Sequence, residues 1–285
     1  MNILKHSFKD VFLVTQTLIT LAIPVIFAIA NLDFVWWMIF LPLHVLLMLC
    51  YNNTSVHHHA HWETFKSKKI NQIYECLLSV AGAASLQVYR NAHLIHHKFV
   101  NDPPVSKDVI SVLANGKDGQ AENAWKFCLG RMFKTNFLYG LLKNTVKTMP
   151  LVNPVCWKRE LIALSAFTVV LCWINLYYAL WWIFVVCPLM QFLNAAWHYG
   201  EHWGAHARRG DTTQDSVGIY NWWYNTFCFN SGLHQEHHHK PGVHWTKLPS
   251  VTLSLHPDRV IAKGMHIFNV PWLVDFKKLI KLSSN

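Results

Sequence analysis

Residues 161–197 run for 37 positions without an Asp, Glu, Lys or Arg. The hydrocarbon core of a bilayer is about 30 Å thick and needs roughly 20 apolar helical residues to cross it, so this run is too long for one crossing and right for two. The turn between them falls near Asn175. Two more uncharged runs, 11–30 and 34–51, are each long enough for one crossing. Only Asn31, Leu32 and Asp33 join them, which makes a tight helical hairpin. Pro24 and Pro42 are tolerated in such helices because membrane helices absorb kinks. Lys5 and Lys9 ahead of an apolar run resemble the start of a signal peptide. That run is too long for a signal core, however, and a second follows at once. Charged residues make up only 14% of the chain, against about 25% in soluble domains. The 14 Trp suit rings seated at a bilayer interface.

The expected fold class is therefore all-α and integral to a membrane, one domain over residues 1–285. It has about four transmembrane helices, at 11–30, 34–51, 161–176 and 179–197. The remaining residues, 52–160 and 198–285, form a helical cap. Residues 73–88 are apolar but short and contain Glu75, so they read as interfacial or re-entrant. A stretch near 121–149 reads as an amphipathic helix on the membrane surface, with Lys126, Arg131, Lys134, Lys143 and Lys147 towards the headgroups.

The basic residues set the orientation. Of 25 Lys and Arg, two precede residue 11, 14 lie in 66–159 and nine follow residue 207. With four spans, all of these fall on one side, which is then the cytoplasm, as are both termini. The net charge of +10 is thus an orientation signal, and nucleic acid is not an expected partner.

The seven cysteines are scattered without a C-x-x-C pair, which disfavours iron–sulfur clusters and zinc ribbons. The 19 histidines are not scattered. His57 and His61 are four apart, so on a helix they share a face. His93, His96 and His97 form H-x-x-H-H, as do His234, His237 and His238. On a helix each triplet points three imidazoles the same way. Asn194, His198 and His202 are spaced by four along one more face. A buried Asn at the end of a span is costly and suggests a functional partner. All these groups fall on the cytoplasmic side of the predicted topology. Eight or more histidines exceed the four ligands of one tetrahedral zinc, so two metal ions are expected. Imidazole suits iron, copper, nickel and zinc, so ligand type does not choose the metal. His6, His44, His206, His256 and His266 read as ordinary surface or core residues. His239 and His244 read as interfacial.

H-x-x-x-H, H-x-x-H-H and H-x-x-H-H, in this order and on one membrane face, resemble the membrane fatty acid desaturase and hydroxylase superfamily over about residues 50–250. That group includes acyl desaturases, alkane monooxygenases and carotenoid ketolases. The resemblance implies a di-iron centre that activates O2. It implies as ligands His57, His61, His93, His96, His97, His234, His237 and His238. The element Asn194-x-x-x-His198 resembles the family's motif between the second and third boxes, which implies a ninth ligand at His198 and an Asn194 that reaches the metal through water. His202 competes for that ninth place. The chain departs from the family at His58, where an acidic residue usually stands. Ligating histidines commonly donate their other N–H to a carboxylate. Glu63, Asp102, Glu201 and Glu236 are the candidates here, with Arg90 pairing to one of them. Asn194, Glu201 and Glu236 are the expected catalytic set beside the ligands. Trp62, Trp203 and Trp245 adjoin the boxes and would line the mouth of an apolar tunnel.

The resemblance implies desaturation or hydroxylation of a fatty acyl chain, with a carotenoid or alkane as alternative substrate. The sequence carries no flavin or nicotinamide fingerprint, so a separate ferredoxin, rubredoxin or cytochrome is the expected electron donor. A membrane zinc hydrolase would leave five or more histidines idle. A metal transporter would place its ligands at mid-span, where only His44 lies.

Overall fold

The computed structural model describes residues 3–100, 122–134, 153–203, 205 and 212–255. The described elements are helical: α1 (Asp10–Ala30), α2 (Phe34–His61), α3 (Lys68–Ala81), α4 (Leu86–Phe99), α5 (Ala124–Lys134), α6 (Pro154–Ile174), α7 (Leu176–His202), α8 (Trp222–Phe227), α9 (His234–His239) and α10 (Leu248–Leu255). The chain forms two compact units. Unit 1 is Met1–Asn91 with Met132–Asn194, and unit 2 is Ala92–Arg131 with Ala195–Asn285.

Three helices, α1, α2 and α7, are long and apolar enough to cross a membrane. The apolar runs at 11–30 and 34–51 lie within α1 and α2, but α2 does not stop at Tyr51. It continues through the first histidine box to His61. The run at 161–176 belongs to α6, which starts seven residues earlier at Pro154 and so includes Lys158, Arg159 and Glu160. The fourth run opens at Leu176 and carries through to His202 rather than ending at 197. Residues 73–88 are the end of α3, a turn and the start of α4. Of the stretch 121–149, residues 124–134 are helical and those from 135 lie outside the described residues.

Local chemistry sets the ends of these helices in unit 1. Asn31 ends α1 in the left-handed region, with φ 46°, a conformation Asn tolerates better than most residues. Asn153 caps α6 by accepting from the N–H groups of Val155 and Cys156, with Pro154 at the first helical position. Asn175 breaks α6 from α7 and caps the latter through Tyr178 N–H. Its Nδ2 also donates to Asn31 Oδ1 at 3.0 Å, tying the two turns together. The core of unit 1 packs Met48, Leu164, Leu171, Tyr178, Val186 and Met190.

A π-helical turn, Asn52–Val56, immediately precedes the first histidine box. Asn52 Nδ2, Asn53 Nδ2 and Thr54 Oγ1 donate to the carbonyls of Met48, Leu49 and Cys50. Side chains that take the i−4 carbonyls loosen the regular helical ladder. One wider turn re-phases everything after it by roughly 100°, one residue's rotation on a helix of 3.6 residues per turn. The π turn therefore decides which way His57 and His61 face. A second π turn, Trp182–Val186, ends about two turns before Asn194 in α7.

The first box and the start of α4 are also braced within unit 1. Glu75 on α3 accepts from Arg90 Nη1 (3.2 Å) and Arg159 Nη2 (3.0 Å), while Arg90 Nη2 donates to the carbonyl of His59 (3.1 Å). Glu160 accepts from Ser85 Oγ and from Gln87 N–H at the start of α4. Burial pushes its carboxyl up to about 7.

Candidate metal centre

Within unit 2 the histidines form two groups. His96, His202, His234 and His238, all buried, bring one ring nitrogen each to within 4.8 Å of the others. His93, His97 and His237 do the same. His96 comes from α4, His202 from the last residue of α7, and His234 and His238 from α9. The i, i+3, i+4 triplets split between the groups. His93 and His97, four apart, go to one and His96 to the other. His234 and His238 go to one and His237 to the other. The two H-x-x-H-H motifs thus each serve both groups.

The nitrogens face one another. His97 Nε2 lies 3.0 Å from His93 Nε2 and 3.0 Å from His237 Nε2, and His234 Nε2 lies 3.3 Å from His202 Nε2. Two ligand nitrogens each about 2.1 Å from one ion stand roughly 3.0–3.4 Å apart at octahedral to tetrahedral angles. A neutral imidazole has one N–H and one lone pair, so three Nε2 atoms that converge cannot all pair with each other. A cation satisfies them. His238 Nε2 is buried and has no hydrogen-bond partner among the described residues. Burial holds His234 and His238 well below the usual imidazole range, and the neighbouring imidazoles add to that effect. Neutral imidazole is the form that binds a metal.

The surrounding groups fix the ring tautomers. His202 Nδ1–H donates to the carbonyl of Asp215 (3.0 Å), which leaves the lone pair on Nε2, towards the group. The Asp215 carboxylate is 3.5 Å from His238 Nδ1. Glu201 is 3.7 Å from His234 Nδ1, accepts from Trp197 Nε1 (3.0 Å) and meets His198 Nδ1 at 3.1 Å. Glu236 is buried and accepts from Thr252 Oγ1 (2.7 Å).

In unit 1, His57 and His61 lie one above the other on α2, with ring centroids 5.4 Å apart. His58 stacks beside His57, and His59 turns away to Thr64 Oγ1 (2.9 Å) and Tyr74. Asn194 accepts from Asn53 Nδ2 (3.0 Å).

The arrangement thus brings His202, and not His198, together with the buried group, and Glu201 stands beside His234 and His198. Glu63 instead pairs with Lys5 (2.8 Å) on an exposed surface, and this hydrogen bond lowers its pKa. Asp102 lies outside the described residues, as do His206, His256 and His266. His239 and His244 bond to Thr212 and Thr246 and belong to neither group. His44 is buried and stacks on Phe27 in unit 1. Trp245 is buried against Phe229. Sequence reasoning missed Asp215, which sits outside any helical period, and Glu75, the true partner of Arg90. The charged residue inside the apolar stretch 73–88 was the available signal for Glu75.

The sequence profile described as fatty acid desaturase matches residues 34–264. No curated protein and no solved structure matches the chain.

Proposed function

This chain belongs to the fatty acid desaturase family, and from that premise we propose that it is a di-iron enzyme that uses O2 to desaturate or hydroxylate the alkyl chain of a fatty acyl lipid. The observation that carries the reading is the pair of imidazole groups in unit 2. Seven ligands lie in unit 2, His96, His202, His234 and His238 for one iron and His93, His97 and His237 for the other, and the family's pattern assigns the remaining two of nine to the first box, His57 and His61. His202 takes the ninth place because it joins the buried group, while His198 turns its Nδ1 to Glu201. When bound, the iron pair supplies the O2 activation that loss of hydrogen from an unactivated carbon requires.

The chain's own residues prepare that chemistry. Asp215 and Glu201 orient His202, His238 and His234, and Glu236 is held in place by Thr252. Burial of the rings excludes bulk water. Asn194 is positioned by Asn53 to bind a water beside the metal. The fold proposed is a single membrane domain with four spans. α6 joins α1, α2 and α7 as a span, entering the bilayer after Glu160, and the histidines and both termini face the cytoplasm.

The electron donor is a separate ferredoxin, rubredoxin or cytochrome. Its docking on a basic cytoplasmic face weakens with added salt, and salt-insensitive reduction would argue against that face. The function is tested by supplying purified protein with O2, an electron donor and acyl lipids, then reading products by mass spectrometry. Loss of two hydrogens or gain of one oxygen is expected. A hydrolysed lipid formed without O2 consumption would overturn the proposal.

A further inference from the structure

The short helix α8 has two different sides. Its inner side is locked to the segment that leads into the last histidine box. Asn225 Nδ2 donates to Ile219 O (2.7 Å), and Ile219 N–H donates to Gly232 O (2.7 Å). A Cβ on Gly232 would stand 2.8 Å from the Tyr224 ring and 2.7 Å from Asn225 Oδ1, so only glycine fits two residues before His234. The outer side presents Trp222, Trp223 and Phe227, which are 65%, 62% and 68% exposed. Trp223 packs edge-on against Trp222 and stacks on Phe227, so the three rings form one patch. They are the most exposed large apolar side chains among the described residues of unit 2.

Tyr224, on the same helix, stacks on Trp197 with ring centroids 5.4 Å apart. Trp197 lies in the last turns of α7, a helix long and apolar enough to cross the membrane. A helix packed against those turns sits where a crossing helix leaves the hydrocarbon, which is the level at which Trp and Tyr collect. The sequence Trp222–Phe227 carries no charge, and the exposed Asn221 and Thr226 supply polar groups for the headgroup region. We infer that α8 is seated in the bilayer interface, with Trp222, Trp223 and Phe227 inserted among phospholipids at the boundary between headgroups and acyl chains. The helix therefore ties the last histidine box, through Gly232, to the lipid surface. This rests on the reading that α7 crosses the membrane.

The test uses the full chain in nanodiscs of phosphatidylcholine and phosphatidylglycerol, with p-benzoylphenylalanine replacing Trp223, Phe227 or, as a reference, Ile26 of α1, one at a time. Irradiation followed by mass spectrometry reads what each position touches. Phospholipid adducts at positions 223 and 227 as well as 26 are expected, and either α8 position suffices if the other substitution misfolds. Lipid adducts at 26 alone, with adducts to protein or none at 223 and 227, would overturn the inference while leaving the membrane reading intact. An absence of lipid adducts at 26 would overturn the membrane reading and the inference with it.

Discussion

The polar interior around α1, α2 and α3 in unit 1 and the imidazole groups of unit 2 treat buried polar atoms in opposite ways. In unit 1, polar residues of α1, α2 and α3 pair with one another: Gln16 Oε1 accepts from both Thr54 and Ser55, and Thr17 meets Tyr74. Arg90, Arg159 and Glu75 close into an ion-paired cluster. In unit 2, buried imidazole nitrogens point at each other in two groups. A self-satisfied network stabilises a fold without a ligand, whereas converging lone pairs are costly until a cation joins them. Burial alone does not mark a functional site. The distinction lies in whether the buried groups can complete each other.

Several substitutions sharpen or break this contrast. The largest effect is expected in unit 2. His96→Ala and His238→Ala each remove a ligand from the four-histidine group and should leave bound iron and O2-dependent turnover below detection, read by metal analysis and product formation. Retained iron in both would erase the contrast. Glu75→Ala in unit 1 leaves Arg90 and Arg159 facing a vacant partner. Loss of a buried ion-pair partner costs about 3–5 kcal/mol. The lower end, about 3 kcal/mol, is expected here, because the Arg159 side chain is 31% exposed. Thermal unfolding in detergent measures it.

Glu201→Gln keeps the shape but weakens the acceptor beside His234 and His198. Groups of this kind typically change metal affinity by about 10- to 100-fold, so iron should compete less well against a chelator by that factor.

A pH dependence follows from Glu160. Its folded pKa, about 7, lies above the unfolded value of 4.5. Its contribution is therefore fully present below pH 4.5 and is lost as pH rises through 7, up to about 3 kcal/mol. Glu160→Gln should remove that part of the pH slope, seen as the difference between the two melting curves from pH 5 to 8. The smallest effect is Asn175→Ala, which deletes the cap of α7 and should cost about 1 kcal/mol without altering iron content.

The fold was legible where physics acts through long uncharged runs. The turns at Asn31–Asp33 and Asn175 and the apolar parts of α1, α2, α6 and α7 follow from hydropathy alone. The histidine spacing revealed the triplets, because a helix imposes i, i+3, i+4 on any converging set. It did not reveal that each triplet divides between two groups, nor that His202 rather than His198 joins the buried one. Those outcomes depend on helix rotation, and in α7 the π turn at Trp182–Val186 alters it without an obvious mark in composition. Asp215 was hidden for another reason: it reaches His202 through a backbone carbonyl on a non-helical segment, where no period points to it. Glu63 misled because adjacency in sequence to a box says nothing of direction, and Lys5 draws it to the surface.

The most direct test of the two-group account is metal analysis with Mössbauer spectroscopy on protein produced with iron-57 and purified in mild detergent. Two irons per chain, both depleted in His96→Ala and His238→Ala, are predicted. A single zinc with no iron would contradict the account.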